Sequence, residues 1–103
     1  MKFVNVTPHA IVLNNGTSFP SEGIARVAAS FSAFDADGCC EQQFGEVTGL
    51  PAPADDVLYI VSGLVLTAAK AAGRVDVVAP ATGHPEVVRN EKGHIVSVPG
   101  FVR

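Results

Sequence analysis

The stretch from Asp55 to Pro80 constrains this 103-residue chain most, because it reads as strand, helix and strand in immediate succession. Val57-Leu58-Tyr59-Ile60-Val61 is a short apolar run of β-branched and aromatic residues bounded by polar ones. Such a run fits a strand buried on both faces. Ser62 suits a helix N-cap, since its hydroxyl accepts a backbone N–H two or three residues on. Leu64, Val65, Ala68, Ala69 and Ala72 recur at helical spacing, and alanine is the strongest helix former. Gly73 suits a left-handed C-terminal cap. Val75 to Val78 is a second β-rich run, closed by Pro80. Two buried strands joined by one helix predict a βαβ unit with parallel strands. The crossover is near the lower length limit, so an antiparallel return stays open. If the strands are parallel, their carboxyl ends fall at Ser62 and Pro80. The first-turn amides of the helix then face that edge, where open α/β sheets bind ligands. Capping alone also accounts for Ser62.

Around this unit the chain is rich in β and turn signals. Phe3, Val4 and Val6 begin a strand that Pro8 interrupts, which predicts an edge strand or a bulge before Ile11-Val12-Leu13 resume it. Asn14-Asn15-Gly16 predicts a tight hairpin, with Thr17-Ser18-Phe19 as the return. Pro20 to Gly23 is a turn. Ile24 to Phe34 predicts a strand, in which Ile24, Val27, Ala29, Phe31 and Phe34 alternate imperfectly and Arg26, Ser30 and Ser32 lie largely on the exposed side. Asp35-Ala36-Asp37-Gly38 is a turn rich in residues that bond their own backbone. It resembles the start of a calcium loop without completing it. Cys39 to Val47 is a further β segment. Thr48 to Ala54 is a loop stiffened by Pro51 and Pro53, too short and apolar to link domains. After the loop Ala81–Glu86, Val87-Val88-Arg89 and His94 to Val98 flank Asn90-Glu91-Lys92-Gly93 as a hairpin. Pro99 to Arg103 reads as a tail. The expectation is one α+β domain over residues 1–103, small and β-rich, with antiparallel hairpins and one strand-helix-strand unit.

Composition narrows the partners. Only 17% of residues are charged while 48% are hydrophobic, which argues against disorder and for apolar surface covered by a partner, most simply another copy. The net charge is −3 and no basic run exists, so nucleic acid is not an expected partner. No signal peptide or membrane-spanning run is apparent, and no membrane association is expected. The adjacent Cys39 and Cys40 read as free thiols in a reducing cytosol, because vicinal pairing strains the peptide. A cytoplasmic protein follows, with the sequons at Asn5 and Asn15 bearing no glycan.

Candidate chemistry is sparse. His9, His84, His94 and the cysteines lack metal-ligand spacing, and no metal or cofactor is expected. Ser62 and Cys40 are possible nucleophiles, but neither sits in a G-x-S-x-G elbow. Asp55 and Asp56 are adjacent at a strand start, where they point to opposite faces and read as a solvated turn. A phosphate or nucleotide site draws on the Ser62 helix start, the Thr82-Gly83 loop and the arginines Arg26, Arg74 and Arg89. Arg74 and Asp76, two apart in an extended segment, share a face, so pairing with each other is the alternative to gripping an anion.

Several motifs in order carry a resemblance. They are Val4-Asn5-Val6-Thr7-Pro8-His9, Gly45-Glu46-Val47-Thr48-Gly49-Leu50-Pro51, Tyr59-Ile60-Val61-Ser62, Arg74 to Pro80, and Val88-Arg89 with Gly93-His94-Ile95-Val96. Together they resemble a family of small proteins of actinobacteria, related bacteria and their phages. Its members start with V-N-L-T-P-H and carry Y-I-V-S and R-x-D-x-x-x-P. Val6 and the cysteine pair depart from that pattern. The resemblance covers nearly the whole chain and implies a single cytosolic domain of bacterial or phage origin. It supplies no mechanism. It groups Asn5, Thr7, His9, Ser62, Arg74, Asp76, Thr82 and Arg89 as one polar set, either a ligand-binding cleft or a hydrogen-bonded lock between the two halves.

Two functions of different class follow. The leading expectation is a non-enzymatic binding or inhibitory module, a homo-oligomer acting on an unknown host protein in a phage–host interaction. The alternative is a small-anion or nucleotide binder, with or without turnover, centred on the Ser62 helix start.

Overall fold

The computed structural model describes every residue from Met1 to Arg103. The chain runs through β1 (Lys2–Asn5), β2 (Ile11–Val12), β3 (Ser18–Phe19), β4 (Arg26–Phe31), β5 (Gln42–Thr48) and β6 (Val57–Ile60). It continues through α1 (Gly63–Ala71), β7 (Val77–Pro80), β8 (Val88–Arg89), β9 (Ile95–Ser97) and β10 (Phe101–Val102). This is a small α+β domain. Its centre is a four-stranded sheet in the order β1-β6-β7-β10, and the other strands pair as three hairpins. No helix is long and apolar enough to cross a membrane.

The open question of strand direction resolves as parallel. β1 runs parallel to β6 and β6 parallel to β7, with Tyr59 opposite Val77 and Ile60 opposite Val78. The crossover from Val61 to Asp76 exceeds the dozen residues that a parallel return needs. Ser62 caps α1 by accepting the Val65 N–H at 3.3 Å, and Gly73 takes φ +92° just past its end. Leu58, Tyr59, Ile60 and Val61 are all buried, as expected for a strand covered on both faces.

Alternation divides the sheet into two cores. Tyr59, Val61, Val77 and Ala79 face α1, meeting Val65, Leu66 and Ala69. Leu58, Ile60 and Val78 face the other way, under Phe3, Ile11, Phe19 and Phe101. The three phenylalanines pack as a triad with ring centroids 5.1 to 5.8 Å apart. The β2–β3 hairpin therefore lids one face and the helix the other. The β8–β9 hairpin is tied on through Asn14, whose Nδ2 donates to the Glu86 carbonyl at 2.9 Å and whose Oδ1 accepts from Ser97 Oγ at 2.6 Å.

Five expectations are corrected. The segment after Pro99 is not a tail: β10 pairs antiparallel with β7 and Phe101 completes the aromatic triad. A two-residue strand carries no periodicity of its own, and burial of one phenylalanine decides it. The strand expected from Val75 begins at Val77, and Val75 is 87% exposed between the paired Arg74 and Asp76. Ile11 and Val12 do not resume β1 but form a separate hairpin, since Asn5 and Thr7 turn the chain at Pro8. That hairpin closes on Gly16 alone at φ +90°, with the Gly16 N–H donating to the Leu13 carbonyl, so Asn15 never adopts positive φ. The buried stripe of α1 is Val65, Leu66 and Ala69, while Leu64 and Ala72 are exposed. A nine-residue helix that is apolar nearly all round has no strong phase, and the sheet selects its face.

The β4–β5 hairpin behaves differently from the rest. Its base packs on the helix-side core through Val27 and Val47, which face each other. Beyond a bulge opposite Ala28 the strands leave the body, with Ala29 opposite Phe44 and Phe31 opposite Gln42. Ala29 and Phe31 follow Val27 at period two, and Phe44 lies across from Ala29. The apolar face of the core thus continues along the arm with nothing over it. Phe31 is 64% and Phe34 74% exposed, so beyond Val27 this segment has no buried side to set against the exposed Ser30 and Ser32. The turn at the tip is held by Asp35 Oδ1, which accepts the N–H groups of Asp37 and Cys39 at 2.9 and 3.0 Å. That engages one oxygen of the partial calcium pattern in turn formation. Cys39 and Cys40 are free thiols beside it.

Candidate functional site at the carboxyl edge of the sheet

Three parallel strands end at Asn5, Ile60 and Pro80. Two residues beyond each stands a hydroxyl: Thr7, Ser62 and Thr82. The parallel order brings these three to one edge, where with Gly63, Gly83 and His84 they line a cavity of about 460 Å³. This is the edge where such sheets place ligands. Ser62 and Thr82 are exposed, and Thr7 is buried.

Each hydroxyl is fixed by local chemistry. Thr7 Oγ1 donates within a cluster holding the Asn5 Oδ1 at 2.6 Å and the His9 carbonyl at 2.9 Å. Asn5 is itself buried. Its Nδ2 donates to the carbonyls of His9 and Phe19, and its Oδ1 also accepts the Thr7 N–H. Every polar atom of Asn5 is thus used to turn the chain after β1 and tie it to β3. His9 contributes its backbone carbonyl to this lock while its residue is exposed. Ser62 Oγ has one hydrogen-bond partner, the Val65 N–H.

The remaining members of the polar set lie elsewhere. Asp76 precedes β7, so Arg74 and Asp76 sit at the amino end of the sheet, away from Ser62. They pair with each other: Arg74 Nε and Nη2 donate to the two Asp76 carboxylate oxygens, each at 2.8 Å. That bond holds the Asp76 carboxyl below its ordinary pKa and raises the Arg74 guanidinium above its own, against the opposing effect of burial. Arg74 Nη2 also donates to the Pro51 carbonyl at 2.9 Å, and its guanidinium lies 5.9 Å from the Tyr59 ring centroid. With the Tyr59 hydroxyl donating to the Ala52 carbonyl at 2.9 Å, the pair pins the proline loop to the sheet. Arg89 is exposed and donates to the Gly93 carbonyl across its own hairpin.

His84 is the edge residue that the sequence reading did not group with Thr82. Its place in the loop after Thr82-Gly83 was the available signal. Its Nδ1 accepts the Glu86 N–H at 3.1 Å. The edge therefore offers hydroxyls, backbone amides and an imidazole, with no lysine or arginine lining it. No three of the histidine, cysteine, aspartate and glutamate side chains are placed to share a metal ion. A second concavity of about 420 Å³ lies where β5 crosses α1, walled by Val47, Leu50, Ala68, Ala69 and Ala72.

No family model matches this chain, and neither does any curated protein or solved structure.

Proposed function

We propose that this chain is a non-enzymatic interaction module of a bacterial or phage cytoplasm, working as a homo-oligomer and acting by covering a partner's surface. The observation that carries this reading is the arm, a two-stranded extension with an uncovered apolar face. A two-stranded hairpin alone is marginal in water and gains stability when such a face is buried. Surface area gives the same reading a magnitude. The chain exposes 6708 Å² for a mass of 10.6 kDa. A compact monomer of that mass exposes about 5,500 Å². The excess of roughly 1,200 Å² exceeds the ~800 Å² that each partner of a standard interface buries. The Cα radius of gyration is 15.6 Å, against about 13 Å for a compact chain of this length, and the extents are 50 × 39 × 19 Å.

Native mass spectrometry and light scattering across a concentration range test this. The expected species is a multiple of the chain mass. A monomer at every concentration overturns the reading. The alternative, a binder of small anions or nucleotides, draws on the carboxyl-edge cavity and the Ser62 helix start. It is the weaker because no cationic side chain lines that cavity. A small mass that co-purifies with the chain and is lost in Thr82→Ala would favour it.

A further inference from the structure

Charge is divided along this chain more sharply than its net value suggests. Between Val27 and Ala69 there are six acidic side chains and no basic one. From Lys70 to Arg103 there are five basic side chains and three acidic ones, a balance of +2. The acidic stretch includes the arm tip, where Asp35, Asp37 and Glu41 are exposed around Phe31 and Phe34. The basic stretch includes a corner at the C-terminal end of α1. There Lys70, Val75 and Arg103 surround a depression of about 280 Å³. Among the lysine, arginine, aspartate and glutamate side chains the ion pair is Arg74–Asp76, so none of the three tip carboxylates, nor Lys70 or Arg103, is paired within its own chain. No arm residue lines the corner.

We infer that the arm tip of one copy docks on the Lys70–Val75–Arg103 corner of a second copy. This rests on the homo-oligomer reading above and specifies its geometry. The contents match: the tip offers Phe31 and Phe34 among unpaired carboxylates, the corner offers Val75 between unpaired Lys70 and Arg103, and the signs are opposite. The arm has the reach, since β4 from Val27 to Phe31 rises about 13 Å at the usual spacing and residues 32–35 carry the chain further to the tip turn. Tip and corner are different patches and each copy carries one of each, so the smallest closed assembly is a reciprocal two-fold dimer. Other rotations per copy close into a larger ring or continue as a filament. Split between one docked arm and one occupied corner per copy, the excess gives about 600 Å² to each face, the small end of specific interfaces. A basic foreign protein on the arm, or an acidic one at the corner, is the competing occupancy, and the test below separates it.

Two variants of the full chain decide the matter, both altering exposed residues. Phe31→Ser/Phe34→Ser disables the tip and leaves the corner intact. Lys70→Glu/Arg103→Glu disables the corner and leaves the tip intact. Each alone is expected to weaken self-association at least about tenfold and to run as a monomer where the wild type is assembled. Mixed, they are expected to form a one-to-one dimer of twice the chain mass and nothing larger, because only one tip and one corner remain competent. Rising salt is expected to weaken that dimer. If the corner variant assembles like the wild type, or the mixture stays monomeric, the docking inference is overturned while the homo-oligomer stands. A monomeric wild type removes both, leaving foreign occupancy of the arm.

Discussion

The central sheet and the β4–β5 arm obey the same sequence rule and end in opposite environments. In both, apolar residues alternate along a strand. In β6, Leu58 and Ile60 point to one layer and Tyr59 and Val61 to another, and all four are buried. In β4, Val27, Ala29 and Phe31 point to one side, and only Val27 has a neighbouring layer to meet. Alternation states that a strand has an apolar face. It does not state whether that face meets the same chain or another. The body stabilises itself, and the arm's apolar face has no layer of its own chain over it.

The largest effect separating the two regions belongs to the body. Ile60 is fully buried between β1 and β7, and Ile60→Ala is expected to cost about 2–5 kcal/mol in urea unfolding. A loss below 1 kcal/mol would mean that the sheet is not the stable unit. Next comes the joint. Gly49 ends β5 at φ +79°, and a Cβ there would run into the Ile24 carbonyl. Gly49→Ala is expected to cost about 2 kcal/mol or more and to loosen the arm, which hydrogen exchange along β4 and β5 reads directly. A neutral result would show that the joint tolerates movement.

The pinned proline loop gives a smaller, pH-dependent effect. Asp76 has its pKa lowered by Arg74, so the pair's contribution is present above the ordinary aspartate range. It is lost as pH falls through the lowered folded value. Asp76→Asn is expected to cost about 1 kcal/mol at pH 7 and progressively less in acid. A difference that does not change with pH would assign the effect to packing. The smallest effect belongs to the arm. Phe34→Ser is expected to leave the unfolding free energy of dilute, dissociated protein within about 0.5 kcal/mol of wild type. A large loss would show that Phe34 supports its own chain, and the contrast between body and arm would fail.

The candidate site was legible in part. Ser62 and Thr82 follow directly from reading two strands and a helix, since each stands just past a strand end. Thr7 joins them only because β1 pairs parallel with β6, a contact between residues more than fifty positions apart. Arg74 and Asp76 were legible as a pair from their spacing. Their distance from Ser62 follows from the same parallel order that makes the edge, because they precede β7 and Ser62 follows β6. Arg89 has guanidinium chemistry suited to an anion, but its own hairpin carbonyl takes its Nη1 donor. Composition and spacing list candidate donors, whereas sheet direction decides which of them meet.

What the sequence determined by itself is local. The Ser62 cap, the Gly73 stop, the buried run from Leu58 to Val61, the Gly16 and Gly93 turns and the Arg74–Asp76 pair each depend on residues a few positions apart. Only the tertiary structure decided strand order, the buried face of α1, the recruitment of Phe101 into a strand and the exposure of Phe31 and Phe34. The physical reason is common to all four. A two-residue strand or an alanine-rich helix has little intrinsic preference, and its place is set by the apolar area it buries against distant segments. For Phe31 and Phe34 no segment of the same chain supplies that area.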